Sequence, residues 1–391
     1  MTLSDSSRIG LAGAAVVGVA FGMARYGYGL TLPGIRQELG LSELVLGLIA
    51  SATFTGYLIG LLLAGPLAAR RGPRAPTTVG GACGAAGAVI VTVAQSPGVL
   101  AVGAVLAGSA GGWVWAPYSD IVTRTVSLRQ QPRALAIITT GTSGGLILLG
   151  ALAILAALDS WRLIWGGIAL AAVAAAVVNL RLVPRTSPPA HPAARRSASS
   201  MVAALQVPAG YSVIYFAVVV IYFTYAADVL DRSALPAAAV PALYAAIGVS
   251  GAVALVTGAF VQRLGSTRVA ALCLVTVAAA LALLGLASDS LLAMAISACI
   301  FGVGYMTGSA VLAVWTAEVV PDRAGAAFTA CLVVGAVSSI AAPAVAGAVI
   351  PGFGLGLLLA VTAAASVLSG MLLLVLRNPR STSSDESADG G

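Results

Sequence analysis

Two charged residues embedded in apolar sequence are the natural starting point for chemistry in this chain. Arg25 is the only charge between Gly10 and Gly34. A charge at the centre of a membrane costs at least about 2.5–3.5 kcal/mol, so it needs a partner or water. At 100° per residue, Gly18, Gly22, Arg25 and Gly29 fall within an arc of about 60°. Small residues mark a face that packs on other helices or lines a cavity, which turns Arg25 and its neighbour Tyr28 into the interior. Two chemistries are open to the guanidinium: bidentate grip of an anionic ligand, or an ion pair with Asp228, on the seventh apolar segment. That segment also carries Tyr211, Tyr215, Tyr222 and Tyr225 within an arc of about 80°. Such a stripe offers ring faces and hydroxyls to an aromatic or amphipathic ligand, or simply packs. Asp228 is the best-placed carboxylate for carrying a proton. Trp113, after a run of glycines, is a further candidate for a cavity wall.

These residues need spanning helices to hold them. The 391-residue chain is 59% hydrophobic and 8% charged, with a mean hydropathy of +1.02. A soluble domain carries about 25% charged residues. No segments of alternating polarity suggest a barrel, so the expected class is an all-α membrane protein. Twelve apolar windows are expected, at roughly 9–33, 44–69, 76–95, 98–121, 133–156, 161–183, 209–231, 237–261, 268–287, 291–315, 323–347 and 354–376. They divide into an N-terminal six-helix bundle (1–183), a Pro-, Ser- and Arg-rich linker (184–206), a C-terminal bundle (207–376) and a polar, disordered tail (377–391).

All 20 basic residues are arginine. Sixteen fall in the loops, linker and tail on one face and only Arg36, Arg162 and Arg232 on the other, which places both termini and the linker in the cytoplasm. The dispersed charge gives no footprint for nucleic acid. Cys83, Cys273, Cys299 and Cys331 lack metal spacing, and His191 lies in the linker. No metal site, cofactor motif or nucleophile–base pair is expected, hence no enzyme.

A turn occurs twice. Gly65-Pro66-Leu67-Ala68-Ala69-Arg70-Arg71-Gly72 returns 193 positions later as Gly258-Ala259-Phe260-Val261-Gln262-Arg263-Leu264-Gly265, as expected of a doubled membrane unit. With six-plus-six segments and the linker, this pattern resembles the major facilitator superfamily over essentially the whole chain. Gly65, Leu67, Arg70, Gly72 and Arg74 match the family's signature, and Gly258, Phe260, Arg263, Gly265 and Arg268 approximate it. The signature's Asp is replaced by Ala69 and Gln262, which puts the family's cytoplasmic latch in doubt. Asp120 and Glu318 are the carboxylates placed to supply it, to Arg70 or Arg74 and to Arg263 or Arg268. Within the superfamily, Ala24-Arg25-Tyr26-Gly27-Tyr28-Gly29 with Leu32-Pro33 resembles the YbfB/YjiJ-type and arabinose-efflux-permease-like bacterial branches.

The resemblance implies a monomeric multi-pass transporter of the bacterial cytoplasmic membrane that rocks its halves about a midplane site. Arg25, Tyr28, Trp113, Tyr215, Tyr222 and Tyr225 would contact a small-molecule substrate, and Asp228 would carry a proton. Proton-coupled efflux of a small organic compound is the expected activity, with uptake, exchange or uniport of an organic anion as the alternative. The glycine-rich fifth and eleventh segments only loosely match the antiporter pattern.

Overall fold

Many leucine and valine side chains here face outward while many small residues, alanine and serine among them, sit inside. Leu62, Leu63, Leu170 and Leu372 are exposed, whereas Ala12, Ala107, Ser212 and Ser297 are buried. That inversion suits a lipid solvent, in which helices associate through close packing of small residues. The computed structural model describes residues 5–156, 160–185 and 198–375. Among these, twelve helices are long and apolar enough to cross a membrane. The tail and most of the linker lie outside the described residues.

The N-terminal half comprises α1 (Ser6–Leu39), α2 (Glu43–Arg71), α3 (Arg74–Thr92), α4 (Pro97–Thr125), α5 (Leu128–Leu155) and α6 (Trp161–Leu182). The C-terminal half comprises α7 (Ala198–Asp231), α8 (Ala239–Leu264), α9 (Ser266–Leu286), α10 (Leu291–Val319), α11 (Pro321–Phe353) and α12 (Leu355–Val375). Helix α7 starts inside the stretch read as linker, because Ala198 to Gln206 are mostly good helix formers and the chain absorbs Pro208 within the helix. Ser42, Ser96 and Ser290 cap α2, α4 and α10 by accepting from the backbone N–H three residues on.

The repeated turn has one backbone geometry in both copies. Gly72 has φ 81° and ψ 161°, and Gly265 has φ 79° and ψ 152°; each ends one helix and lets the next begin at once. This region is essentially closed to residues with a Cβ. Gly72→Ala and Gly265→Ala should each cost about 1–3 kcal/mol, seen as a lowered melting temperature of the purified protein. An unchanged melt for both would mean that the turn relaxes freely.

The face carrying the linker ends is called here the linker face, and the opposite one the distal face. The two halves meet through α1 with α7, α2 with α11 and α5 with α8. These contacts sit toward the distal face and use glycine. A Cβ on Gly29 would overlap the Phe223 carbonyl oxygen, one on Gly47 the Pro343 carbonyl, and one on Gly248 would come within 2.7 Å of the Ser143 carbonyl. Several glycines of α5 and α11 are thereby explained by packing: Gly141 and Gly145 lie on α1, Gly150 on α8 and Gly347 on α2, whereas Gly144 faces open space.

Candidate functional site

Arg25 follows directly on a π-helical stretch of α1, Gly18–Ala24. Such bulges re-aim the side chains beside them and cluster at functional sites. The residue is 5% exposed. Its guanidinium lies among ring faces: Tyr57 at 4.4 Å, Phe54 at 5.0 Å, Phe21 at 5.5 Å and Tyr26 at 5.7 Å. Each aromatic face offsets part of the lost hydration, by about 0.5–2 kcal/mol. Among the described residues no carboxylate pairs with it, and its Nε is a buried donor without an acceptor.

A cavity of about 250 Å³ opens beside Arg25 between the halves. The N-terminal half contributes Phe21, Arg25, Tyr57, Trp115 and Thr142; the C-terminal half contributes Phe216, Tyr305, Ser309, Phe328 and Leu332. These residues sit at the middle and in the linker-facing parts of their helices, so the protein is captured open toward the linker face.

Two layers close the other end. First comes an aromatic plug. Tyr26 stacks on Phe223 with ring centroids 3.6 Å apart, Tyr222 stacks on Phe301 at 3.7 Å, and the Tyr26 hydroxyl donates to the Tyr305 hydroxyl at 2.9 Å, joining α1 to α10. Beyond it lies a four-charge ring. Arg36 pairs with Asp228 across the halves and with Glu43 at 3.0 Å; Arg232 pairs with Glu43 at 2.8 Å, also across the halves, and with Asp228 at 2.9 Å. The Asp228 side chain is fully buried, while Arg36 and Arg232 keep 21% and 47% of their side-chain exposure.

Asp228 therefore pairs with Arg36 and Arg232, and Arg25 lies on the cavity side of the plug. The two residues weighed as partners in the sequence are held apart by the aromatic layer. The tyrosine stripe of α7 is present but packs away from the cavity. Tyr222 hydrogen-bonds Ser297 at 2.9 Å, the Tyr225 hydroxyl donates to the Pro343 carbonyl at 3.5 Å, and the Tyr215 hydroxyl is taken by the Tyr305 carbonyl and Ser309. Tyr28 donates to the Leu46 carbonyl at 2.9 Å. Trp113, at a break in α4, is buried inside its own half; Trp115 is the tryptophan in the cavity wall.

On the linker face the expected pairs are not formed. Asp120 takes Arg124 one turn on at 2.6 Å, Glu318 accepts from Ser266 at 2.7 Å, and Arg74 donates to the Leu180 carbonyl. A helical neighbour at i+4 is the nearest partner available to Asp120, and a latch has nothing to hold while this face is open. Sequence reasoning missed Arg36, Glu43 and Arg232 as site residues, and the cavity aromatics Phe21, Tyr57, Phe216, Tyr305 and Phe328. Arg36 and Asp228 carried a signal: they stand 192 positions apart, one short of the repeat, so each half presents the opposite charge at the same place.

A sequence profile described as the Major Facilitator Superfamily matches residues 14–255. No curated protein sequence matches the chain. Among solved structures, a POT family transporter in complex with 5-aminolevulinic acid superposes with a TM-score of 0.75 at 14% identity, covering 94% of this chain and 95% of its own. A peptide transporter, POT, in complex with sulfate gives 0.73 at 18% identity and 94% of each chain. The nucleoside transporter NupG gives 0.71 at 15% identity, over 95% of this chain and all (100%) of its own. At such identities the likeness shows the fold alone.

Proposed function

Because this chain belongs to the Major Facilitator Superfamily, a family of secondary transporters, we propose that it carries a small organic anion by alternating access about the Arg25 cavity. The observation that supports this most is the charge of the cavity wall: one guanidinium and no carboxylate among its lining residues. Similar structures hold 5-aminolevulinic acid or belong to a peptide or a nucleoside transporter, so the fold does not choose the solute and the wall must. A peptide or amino acid would bring an ammonium group that meets no carboxylate here.

In this reading the distal ring and plug are the outer gate, and the linker face is the inner one. The arginine bias of sixteen against three supports a cytoplasmic linker face. Proton coupling would run through Asp228 or Glu43, the carboxylates that bridge the halves. A proton on either removes a cross-half pair and leaves two guanidiniums sharing one carboxylate, which favours opening. Most glycines of the loose antiporter pattern on α5 and α11 serve as packing surfaces, and the direction of transport follows from the gradient that drives it.

Proteoliposomes with an internal pH dye test the reading. Saturable flux of organic anions, lost on Arg25→Ala, is expected; flux of cations alone would overturn it. Proton movement that accompanies the anion should fall sharply in Asp228→Asn. Coupling that survives both Asp228→Asn and Glu43→Gln would remove the ring from the proton path.

A further inference from the structure

Seven of the fifteen residues lining the cavity are aromatic, in a chain that is 6% aromatic overall. From this enrichment, and building on the anion reading above, we infer that the solute is an aromatic monocarboxylate: a ring of one or two fused cycles bearing a single negative charge. Charge fixes the head group. Arg25 is the one ionisable group of either sign on the wall apart from the tyrosine hydroxyls, and a buried Nε without an acceptor gives a carboxylate a donor to satisfy. A second carboxylate would enter a low-dielectric space with no second cation, and an ammonium would find no acid.

Shape fixes the body. Beyond the rings around Arg25, Trp115, Phe216 and Phe328 add three more to the wall, from three different helices. Rings in such a box stack face or edge onto a planar guest, an attraction that a saturated ring of equal size does not repay. The volume, about 250 Å³, lies just under the range of about 300–1,000 Å³ usual for ligand pockets, which suits one or two rings and not a long acyl chain.

Isothermal titration of the purified full chain with benzoate, 2-naphthoate, cyclohexanecarboxylate, phthalate, benzylamine and benzamide tests this. An aromatic monocarboxylate should bind about threefold to tenfold more tightly than cyclohexanecarboxylate, and phthalate more weakly than benzoate. Arg25→Gln should lose about tenfold or more of the carboxylate affinity, and Arg25→Lys should recover part of it. Trp115→Leu, at a half-buried wall position, should erase most of the preference for the aromatic ring while keeping the anion requirement. Cyclohexanecarboxylate binding as well as benzoate would overturn the aromatic inference and leave the anion reading standing. Benzylamine or benzamide binding as well as benzoate, unaffected by Arg25→Gln, would overturn both. Failure of every carboxylate to bind a normally melting protein would likewise overturn the inference.

Discussion

Asp228→Asn is expected to open the distal face. The substitution keeps the size of the side chain and removes the charge on which Arg36 and Arg232 converge. Removing one partner of a buried pair costs about 3–5 kcal/mol; the low end applies, since both arginines retain contact with solvent. Opening the distal gate separates Arg36 from Asp228 in any case, whereas the Asp228–Arg232 pair lies within α7 and is lost from both states alike. The cross-half share of this cost therefore falls on the closed state alone and shifts the equilibrium by up to about a hundredfold. A cysteine at Thr224, buried between the plug and the ring, reports the shift in a background without the four native cysteines. Its alkylation by an impermeant reagent added from the distal side should rise by about that factor. Exchanging the charges, Arg36→Asp with Asp228→Arg, restores a cross-half pair and should recover part of the closure. Unchanged labelling in Asp228→Asn would mean that the plug and the glycine contacts hold the face shut unaided.

The sequence carried the helices and the doubling because both are written in strong, local signals. An apolar run of about 20 residues has few alternatives to a spanning helix, and the positive φ at Gly72 and Gly265 recurs because the turn itself recurs. Arg25 was legible as a buried cation because its cost is so high. Its surroundings were not. Phe21 and Tyr57 come from α1 and α2, Tyr305 from α10 and Phe328 from α11, and no spacing along one helix foretells which aromatics from four helices share a cavity. The tyrosines of α7 looked more like a ligand surface than they are, since an 80° arc describes a packing stripe equally well; their hydroxyls are used by Ser297, Pro343 and Tyr305. The ring was half legible. Arg36 and Asp228 are near-equivalent positions of the two halves, and equivalent positions on the helices flanking a pseudo-twofold axis come together by construction. Glu43 and Arg232 need the three-dimensional fold, because α2 and the end of α7 meet only when the distal face is closed.

Gly29→Ala should block that closure by a route that involves no charge. The hydrogen at this position faces the Phe223 carbonyl and the Thr224 Cα on the other half; a methyl group built there overlaps backbone, which no rotamer change relieves. All three of its nearest neighbours belong to α7, so the N-terminal half folds without meeting the obstacle. The cost arises only when α1 and α7 approach, and it also holds Tyr26 off its stacking partner Phe223. The expected protein is stable, rests with its distal face open and labels at a Thr224→Cys reporter as Asp228→Asn does. It differs in two measurable ways. Its labelling should not respond to pH, because the block is steric. Restoring room by Phe223→Gly should not rescue it, because the clash is with the carbonyl and not the ring. Transport, which needs both faces to close in turn, should be lost. Normal transport by Gly29→Ala would show that α1 and α7 do not approach this closely during the cycle, and would take the distal contact out of the gate.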